Sequence, residues 1–291
     1  MLLTIRQLQV KYGDQTALQI DQPISFERGE RIGVIGSNGA GKTTLVKALL
    51  GLVEYQGKVI TQLRPEQMAV HMQTNSYIST MPVRCVMEMI LNTSIKENKE
   101  LQKLIDLFEF GPCLPKRYNA LSGGQKQKFT VIMVMMQKAE LTFYDEVTSG
   151  LDFESRQKLM DKLAQWYRDK EESLVIVSHY YAELEQLADK ILLLDQGRVV
   201  AYGKTGELFR KYCGDAVYIL DNNPENQELT CRFQRLKAPD HLIALSCHKQ
   251  EEGKLLALLV EHNVNFKRSN SDIEIMSINA KEVKHGKMPL L

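Results

Sequence analysis

The chain has no long apolar run. Its richest stretches, Phe129 to Met136, Leu174 to Val177 and Ile191 to Leu194, fall far short of the roughly 20 residues a bilayer-spanning helix needs, so any work at a membrane would require docking on a separate subunit. The first residues, Met-Leu-Leu-Thr-Ile-Arg-Gln-Leu, interrupt the apolar positions before the core of a secretory signal can form, and no signal peptide is expected. Net charge is nearly absent: 37 Lys and Arg against 36 Asp and Glu leave +1, which gives no electrostatic footprint for nucleic acid or an anionic membrane surface. Paired cysteines are missing too. Cys85, Cys113, Cys213, Cys231 and Cys247 are odd in number and form no Cys-x-x-Cys, which argues against a disulfide framework or metal knuckle and for reduced thiols in a cytosolic protein. The residues Cys231, His241, Cys247 and His248 match no usual zinc spacing.

What remains is an ordinary globular composition, 44% hydrophobic and 25% charged over 291 residues, with room for one large domain and a small one. Short strands are expected at Leu3 to Val10, Thr16 to Ile20 and Arg31 to Ile35, then a helix from Lys42 to about Leu50 and strands at Gln56 to Ile60 and Met68 to Met72. Between Met81 and Gly111 the apolar spacing turns helical, and a helix follows Gly123-Gly124. Strand Leu141 to Tyr144, helix Phe153 to Arg168 and strand Leu174 to Val177 then alternate, which predicts an α/β fold with a mainly parallel sheet covered by helices. At Gly214-Asp215 the texture changes, so the expected domains are residues 1–213, with a helical insert at about 81–138, and residues 214–291. For the second unit the pattern predicts strands at Ala216 to Leu220, Glu228 to Phe233, Leu242 to Ser246 and Ile273 to Ser277, a helix at Gly253 to His262, and a loose tail from Lys281.

Three motifs carry chemistry. Gly36-Ser37-Asn38-Gly39-Ala40-Gly41-Lys42-Thr43-Thr44 follows a strand and opens a helix, the setting in which unhindered backbone N–H groups and a helix N-terminus converge on phosphates. Lys42 would reach the β- and γ-phosphates, and the Thr43 hydroxyl would sit on Mg²⁺. The strand Leu141 to Tyr144 ends in Asp145-Glu146, and strand ends of open α/β sheets point into the ligand crevice; Asp145 is placed to complete the Mg²⁺ shell and Glu146 to polarise an attacking water. Between them, Leu121-Ser122-Gly123-Gly124-Gln125 offers a hydroxyl, two small residues and a helix N-terminus, a second anion-binding surface.

That ordered set resembles the ATP-binding-cassette (ABC) ATPases: a Walker A loop, the signature turn and a Walker B strand, over roughly residues 1–213. The resemblance implies a P-loop NTPase cassette with an antiparallel N-terminal β-subdomain and a helical insert, here followed by a small α+β appendage. It also implies that Tyr12 stacks on adenine, that Gln73 touches Mg²⁺ and the attacking water, that Ser149-Gly150-Leu151-Asp152 crosses a dimer interface, and that His179 contacts the γ-phosphate. Val147 stands where the family usually has proline, and Lys128 where arginine is frequent; neither change removes a catalytic group. Met133, Met135 and Met136 read as core packing.

In that family the phosphate loop of one subunit and the signature of another sandwich each ATP. With one motif set per chain, the resemblance implies a second nucleotide-binding subunit, identical or paralogous, a separate transmembrane permease, and a place on the cytoplasmic face of the membrane. The chromosome-associated type would carry long coiled coils between the Walker motifs, and no sustained heptads occur here; the ribosome-associated type carries two cassettes. The short span from Gln73 to Leu121 and the single modest appendage resemble bacterial subunits that export drugs, antibiotics or small amphipathic peptides, with importer subunits as the alternative.

Overall fold

The structure, a computed structural model, describes residues 1–72, 75–288 and 290. Strands β1 (Leu3–Tyr12), β2 (Gln15–Ile20), β3 (Ile24–Phe26) and β4 (Arg31–Ile35) lead into helix α1 (Lys42–Leu49), and β5 (Gln56–Thr61) and β6 (Met68–His71) follow. Helices α2 (Val83–Ile90), α3 (Lys99–Leu107) and α4 (Gly123–Met135) come next, then β7 (Leu141–Asp145), α5 (Phe153–Tyr167), β8 (Ser173–Val177), α6 (Tyr181–Leu187), β9 (Lys190–Asp195), β10 (Arg198–Lys204) and α7 (Thr205–Cys213).

All these strands join one ten-stranded sheet in the order β3-β1-β2-β10-β9-β4-β8-β7-β6, with β5 on β1. The stretch β9-β4-β8-β7-β6 is parallel, whereas β1 pairs antiparallel with β2, β3 and β5. Every residue of β7 and β8 is buried, as a parallel sheet covered on both faces requires. Alternate residues of β8 serve opposite cores: Leu174 and Ile176 pack with the helical insert and α5, Val175 and Val177 with α1 and the N-terminal strands. Asp145 lies level with Val177, and Val177 with Val34, so the loops leaving β4, β7 and β8 start along one sheet edge. Over α4, the ring of Phe129 meets Tyr77 and Tyr118 edge-on, with centroids at 4.8 and 5.5 Å, and Met133 and Met135 are buried beside it.

The remaining elements, β11 (Ala216–Asp221), α8 (Pro224–Leu229), β12 (Arg235–Leu236), β13 (Leu242–Cys247), α9 (Glu252–Glu261), β14 (Phe266–Ser269) and α10 (Ile273–Lys284), build a separate four-stranded sheet, β12-β13-β11-β14. One face, with Tyr218, Leu220 and Leu245, forms a small core with α9. The other, with Val217, Ile219 and Ala244, joins the large core together with α7 and α10.

Three sequence expectations fail here. Glu228 to Phe233 is not a strand: Asn223 caps α8 by accepting the Asn226 N–H, Pro224 fits the first helical position, and Glu228 lies in that helix. Ile273 to Ser277 is not a strand either, but the start of α10, capped by Asp272 on the Ile275 N–H, and the expected loose tail at Lys281 belongs to the same helix. Ile-Glu-Ile-Met alternates like a strand over four residues; only a longer window shows Ile273, Met276 and Ala280 at helical spacing on the buried face. Among the described residues no helix is long and apolar enough to cross a membrane.

Candidate functional site

In the loop from β4 to α1, two glycines sit where close contacts leave no room for a side chain. A Cβ at Gly36 would run into the carbonyl of Leu194 and the Ala40 side chain. Gly41 caps α1 at φ 94°, a left-handed conformation natural to glycine, and a Cβ there would lie 2.8 Å from the Ala17 carbonyl oxygen. Lys42 turns its ammonium back over the loop, donating to the carbonyls of Gly36 (2.8 Å) and Ser37 (3.2 Å). Burial lowers its pKa, opposed by Glu146 and Asp145, while the charge of Lys281 lowers it further.

Beside this loop lies a cavity of about 730 Å³, lined by Asn38 to Thr44, by Tyr12 and Glu146, and by Gln15, Thr16, Ala17, Gln196 and Gly197. Tyr12 stands 51% exposed at its rim, a ring free to take a stacking partner. At the end of β7, next to the cavity-lining Glu146, Asp145 is fully buried and neither carboxylate oxygen has a hydrogen-bond partner among the described residues. Burial raises its pKa, Thr43 lowers it, Glu146 raises it and Lys42 lowers it again. An unpartnered buried carboxylate costs several kcal/mol unless a cation answers it, so Asp145 and the Thr43 hydroxyl make an oxygen donor pair that suits a hard divalent ion.

Glu146 continues β7 by donating its backbone N–H to Val177 (2.9 Å), yet adopts φ 50°, a conformation uncommon for a non-glycine residue. Its Oε1 lies 3.6 Å from Nδ1 of His179, which leaves β8 at the same edge. The His179 ring stacks on Tyr180 at 4.1 Å, and Tyr180 in turn carries the Arg156 guanidinium at 3.6 Å. Gln73 lies outside the described residues; two positions before it, burial pushes His71 down to a pKa of about 4.

The signature is built differently. Ser122 caps α4 in a reciprocal box: its hydroxyl accepts the Gln125 N–H at 3.3 Å and its own N–H donates to the Gln125 side chain at 3.2 Å. Asp152 caps α5, accepting the Ser155 N–H at 2.9 Å, and that bond lowers its pKa. Neither Ser122, Gly123, Gly124, Gln125 nor Asp152 lines the cavity. Around Gly123 a Cβ would meet nothing within 4 Å, and at Gly124 only Leu151 at an ordinary 3.5 Å.

Sequence reasoning missed two features. The turn Gln196-Gly197 reaches the cavity; its glycine marks a turn, but nothing in the sequence says where the turn points. Glu183 is 4% exposed and accepts the hydroxyls of Thr148 (2.5 Å) and Ser178 (2.7 Å), tying the segment after Glu146 to the residue before His179. In sequence it is one of many glutamates on a helix.

Residues 21–149 match the family described as ABC transporter. The chain is similar to the linearmycin resistance ATP-binding protein LnrL of Bacillus subtilis, 24% identical over 91% of this chain and 92% of that one. It is also similar to the methionine import ATP-binding protein MetN of Cupriavidus necator (30%, over 75% and 68%) and to the Nod factor export ATP-binding protein I of Ralstonia nicotianae (27%, over 89% and 84%). Its fold resembles a dimeric post-hydrolysis structure of the cassette MJ0796 bound to ADP and Pi, with TM-score 0.61 and 20% identity over 70% of this chain and 98% of that one. The chain belongs to the ATP-binding subunits of ABC transporters, and is an ATP-binding, ATP-hydrolysing cassette protein.

Replacing Glu183 by alanine removes the acceptor of the Thr148 hydroxyl and leaves the Ser178 hydroxyl only the distant Tyr180 carbonyl at 3.5 Å. The expected loss is about 2–3 kcal/mol of stability, read by denaturant unfolding, with ATP turnover falling well below wild type at a temperature where the variant is folded. Unchanged stability and turnover would mean the carboxylate ties nothing together.

Proposed function

We propose that this protein is the ATP-hydrolysing motor of an exporter that moves drugs, antibiotics or small amphipathic peptides through a separate permease. The observation that carries the export reading is how far its relatives extend. The resistance and Nod factor export proteins align over 91% and 89% of the chain, more than residues 1–213 can accommodate, so both alignments enter the appendage, residues 214–291. The methionine import protein aligns over 75%, which reaches only a few residues beyond the length of 1–213. Import is the second reading, kept because that importer is 30% identical where it aligns.

In this account ATP enters the 730 Å³ cavity with adenine against Tyr12. Its phosphates lie on the loop formed by Gly36, Ser37, Asn38, Gly39, Ala40, Gly41, Lys42, Thr43 and Thr44, where backbone N–H groups, the α1 N-terminus and Lys42 answer their charge. Thr43, Asp145 and Gln73 would hold Mg²⁺, which neutralises developing phosphate charge when bound. Glu146 accepts a proton from the attacking water, and His179, 3.6 Å from it, orients that carboxylate and meets the γ-phosphate.

The signature supports a composite site. Glycine forms helix less readily than alanine, and the packing around Gly123 and Gly124 in their own chain asks for no glycine. The requirement then comes from outside: Ser122, Gly123, Gly124 and Gln125 close on the ATP of a second nucleotide-binding chain, with Asp152 crossing between the two. The permease carries the membrane-spanning part, placing the cassette on the cytoplasmic face.

Glu146→Gln is expected to keep ATP binding, lower turnover at least about a hundredfold and accumulate an ATP-bound dimer in size-exclusion chromatography; turnover at the wild-type rate sinks the base assignment. For transport, affinity purification from detergent-solubilised membranes should recover a multi-spanning partner, and loss of the protein should sensitise cells to a drug or peptide. Recovery of a substrate-capturing binding protein with the complex, or cells that starve rather than become sensitive, would favour import.

A further inference from the structure

Helix α10 belongs in sequence to the second sheet but packs into the large core, among Leu184, Leu208 and Tyr212. It is gripped at both ends by the cassette. At its start, the Glu185 carboxylate on α6, the helix that follows His179, accepts the Ile273 N–H at 3.0 Å. At its finish, Lys281 Nζ lies 3.2 Å from Oδ1 of Asp195 and His285 Nε2 lies 3.4 Å from Oδ2 of the same carboxylate. Residues four apart on a helix face the same way, so one carboxylate is held on both oxygens. Asp195 is 13% exposed and Lys281 28%, which takes this contact out of the class of freely solvated surface pairs.

Asp195 ends β9, and its neighbours touch the nucleotide cavity. Leu194 presents the carbonyl against which Gly36 packs, and Gln196 and Gly197 line the cavity directly. The Gly197 carbonyl accepts the Gln19 N–H at 2.6 Å, pinning the turn to β2. A shift of Asp195 therefore moves the wall of the cavity and the backing of the phosphate loop together. Nothing else among the described side chains forms an ion pair with Asp195.

We propose that α10 is a working part of the nucleotide site: Lys281 and His285, by gripping Asp195, position the Gln196–Gly197 turn and the phosphate loop behind it, so that the C-terminal segment sets how tightly the cassette holds ATP. Lys281 is on this account a positioning residue. The proposal rests on the cavity being the ATP site, and it gives the appendage a role inside its own chain.

The test is calorimetric titration of the full-length protein with MgATP, beside steady-state kinetics and thermal unfolding, for Lys42→Ala, Lys281→Met, Lys281→Arg, Asp195→Asn and the Lys281→Met/Asp195→Asn pair. Lys281→Met and Asp195→Asn are each expected to weaken ATP binding about three- to tenfold and raise KM with kcat little changed. The double variant should be no weaker than the worse single one, and Lys281→Arg should recover most of the affinity. Lys281→Gln replaces Lys281→Met if the latter does not fold. Wild-type affinity in folded Lys281→Met and Asp195→Asn overturns the proposal alone, provided Lys42→Ala loses ATP. Tighter binding by Asp195→Asn overturns it too, since Lys281 would then act on the phosphates as a bare charge. If Lys42→Ala keeps ATP, the cavity assignment falls and this proposal with it.

Discussion

The site depends on the register of β4, β8 and β7. These three parallel strands are paired so that Val34, Val177 and Asp145 stand level, and the phosphate loop, His179 and Glu146 therefore emerge side by side. Side chains alternate along a strand, so a one-residue slip of β7 would turn Asp145 and Glu146 to the wrong faces and exchange Tyr144 and Phe143 between the two cores. Burial on both faces forbids the slip. The energy that fixes the catalytic edge is thus the packing of apolar residues that have no chemical role.

Around that edge the chain keeps groups in states that its own packing does not satisfy. Asp145 is buried without a partner among the described residues, Glu146 is held at positive φ, and the packing of the chain itself demands no glycine at 123 or 124. Each departs from what a self-sufficient domain would choose. On the proposed reading a divalent cation would answer the first and a second chain the third, and the site would become complete only on loading and pairing. Binding energy released on completion is then available for motion. The clamp from α10 to Asp195 extends the same logic, since it lets a segment remote in sequence bear on the loop that first meets the nucleotide.

Much of this was readable from the sequence because the phosphate loop is local: spacing within Gly36 to Thr44, between a strand and a helix, carries its own context. The parallel sheet was readable as well, since the runs at Leu141 and Leu174 are too short for helices and too apolar for a solvated face. The misreadings were also local. The run Glu228 to Phe233 and the alternating isoleucines of α10 are windows too short to separate the two periods, and the proline and asparagine that open α8 lie just upstream of the first. What could not be read at all was long-range pairing. Glu183 with Thr148 and Ser178, and Asp195 with Lys281 and His285, join residues of unremarkable type whose meeting only the folded chain decides.

The central claim is that one chain supplies only half of each hydrolytic site. Gly124→Asp tests it most directly, because a Cβ at this position meets only Leu151 at an ordinary distance within the chain while a facing phosphate would meet a carboxylate. ATP affinity of the isolated chain and the rate of hydrolysis under pairing conditions are the two readings. The account predicts wild-type ATP affinity with hydrolysis lowered at least about a hundredfold. Hydrolysis at the wild-type rate would contradict it, and would mean that the site is complete within a single chain.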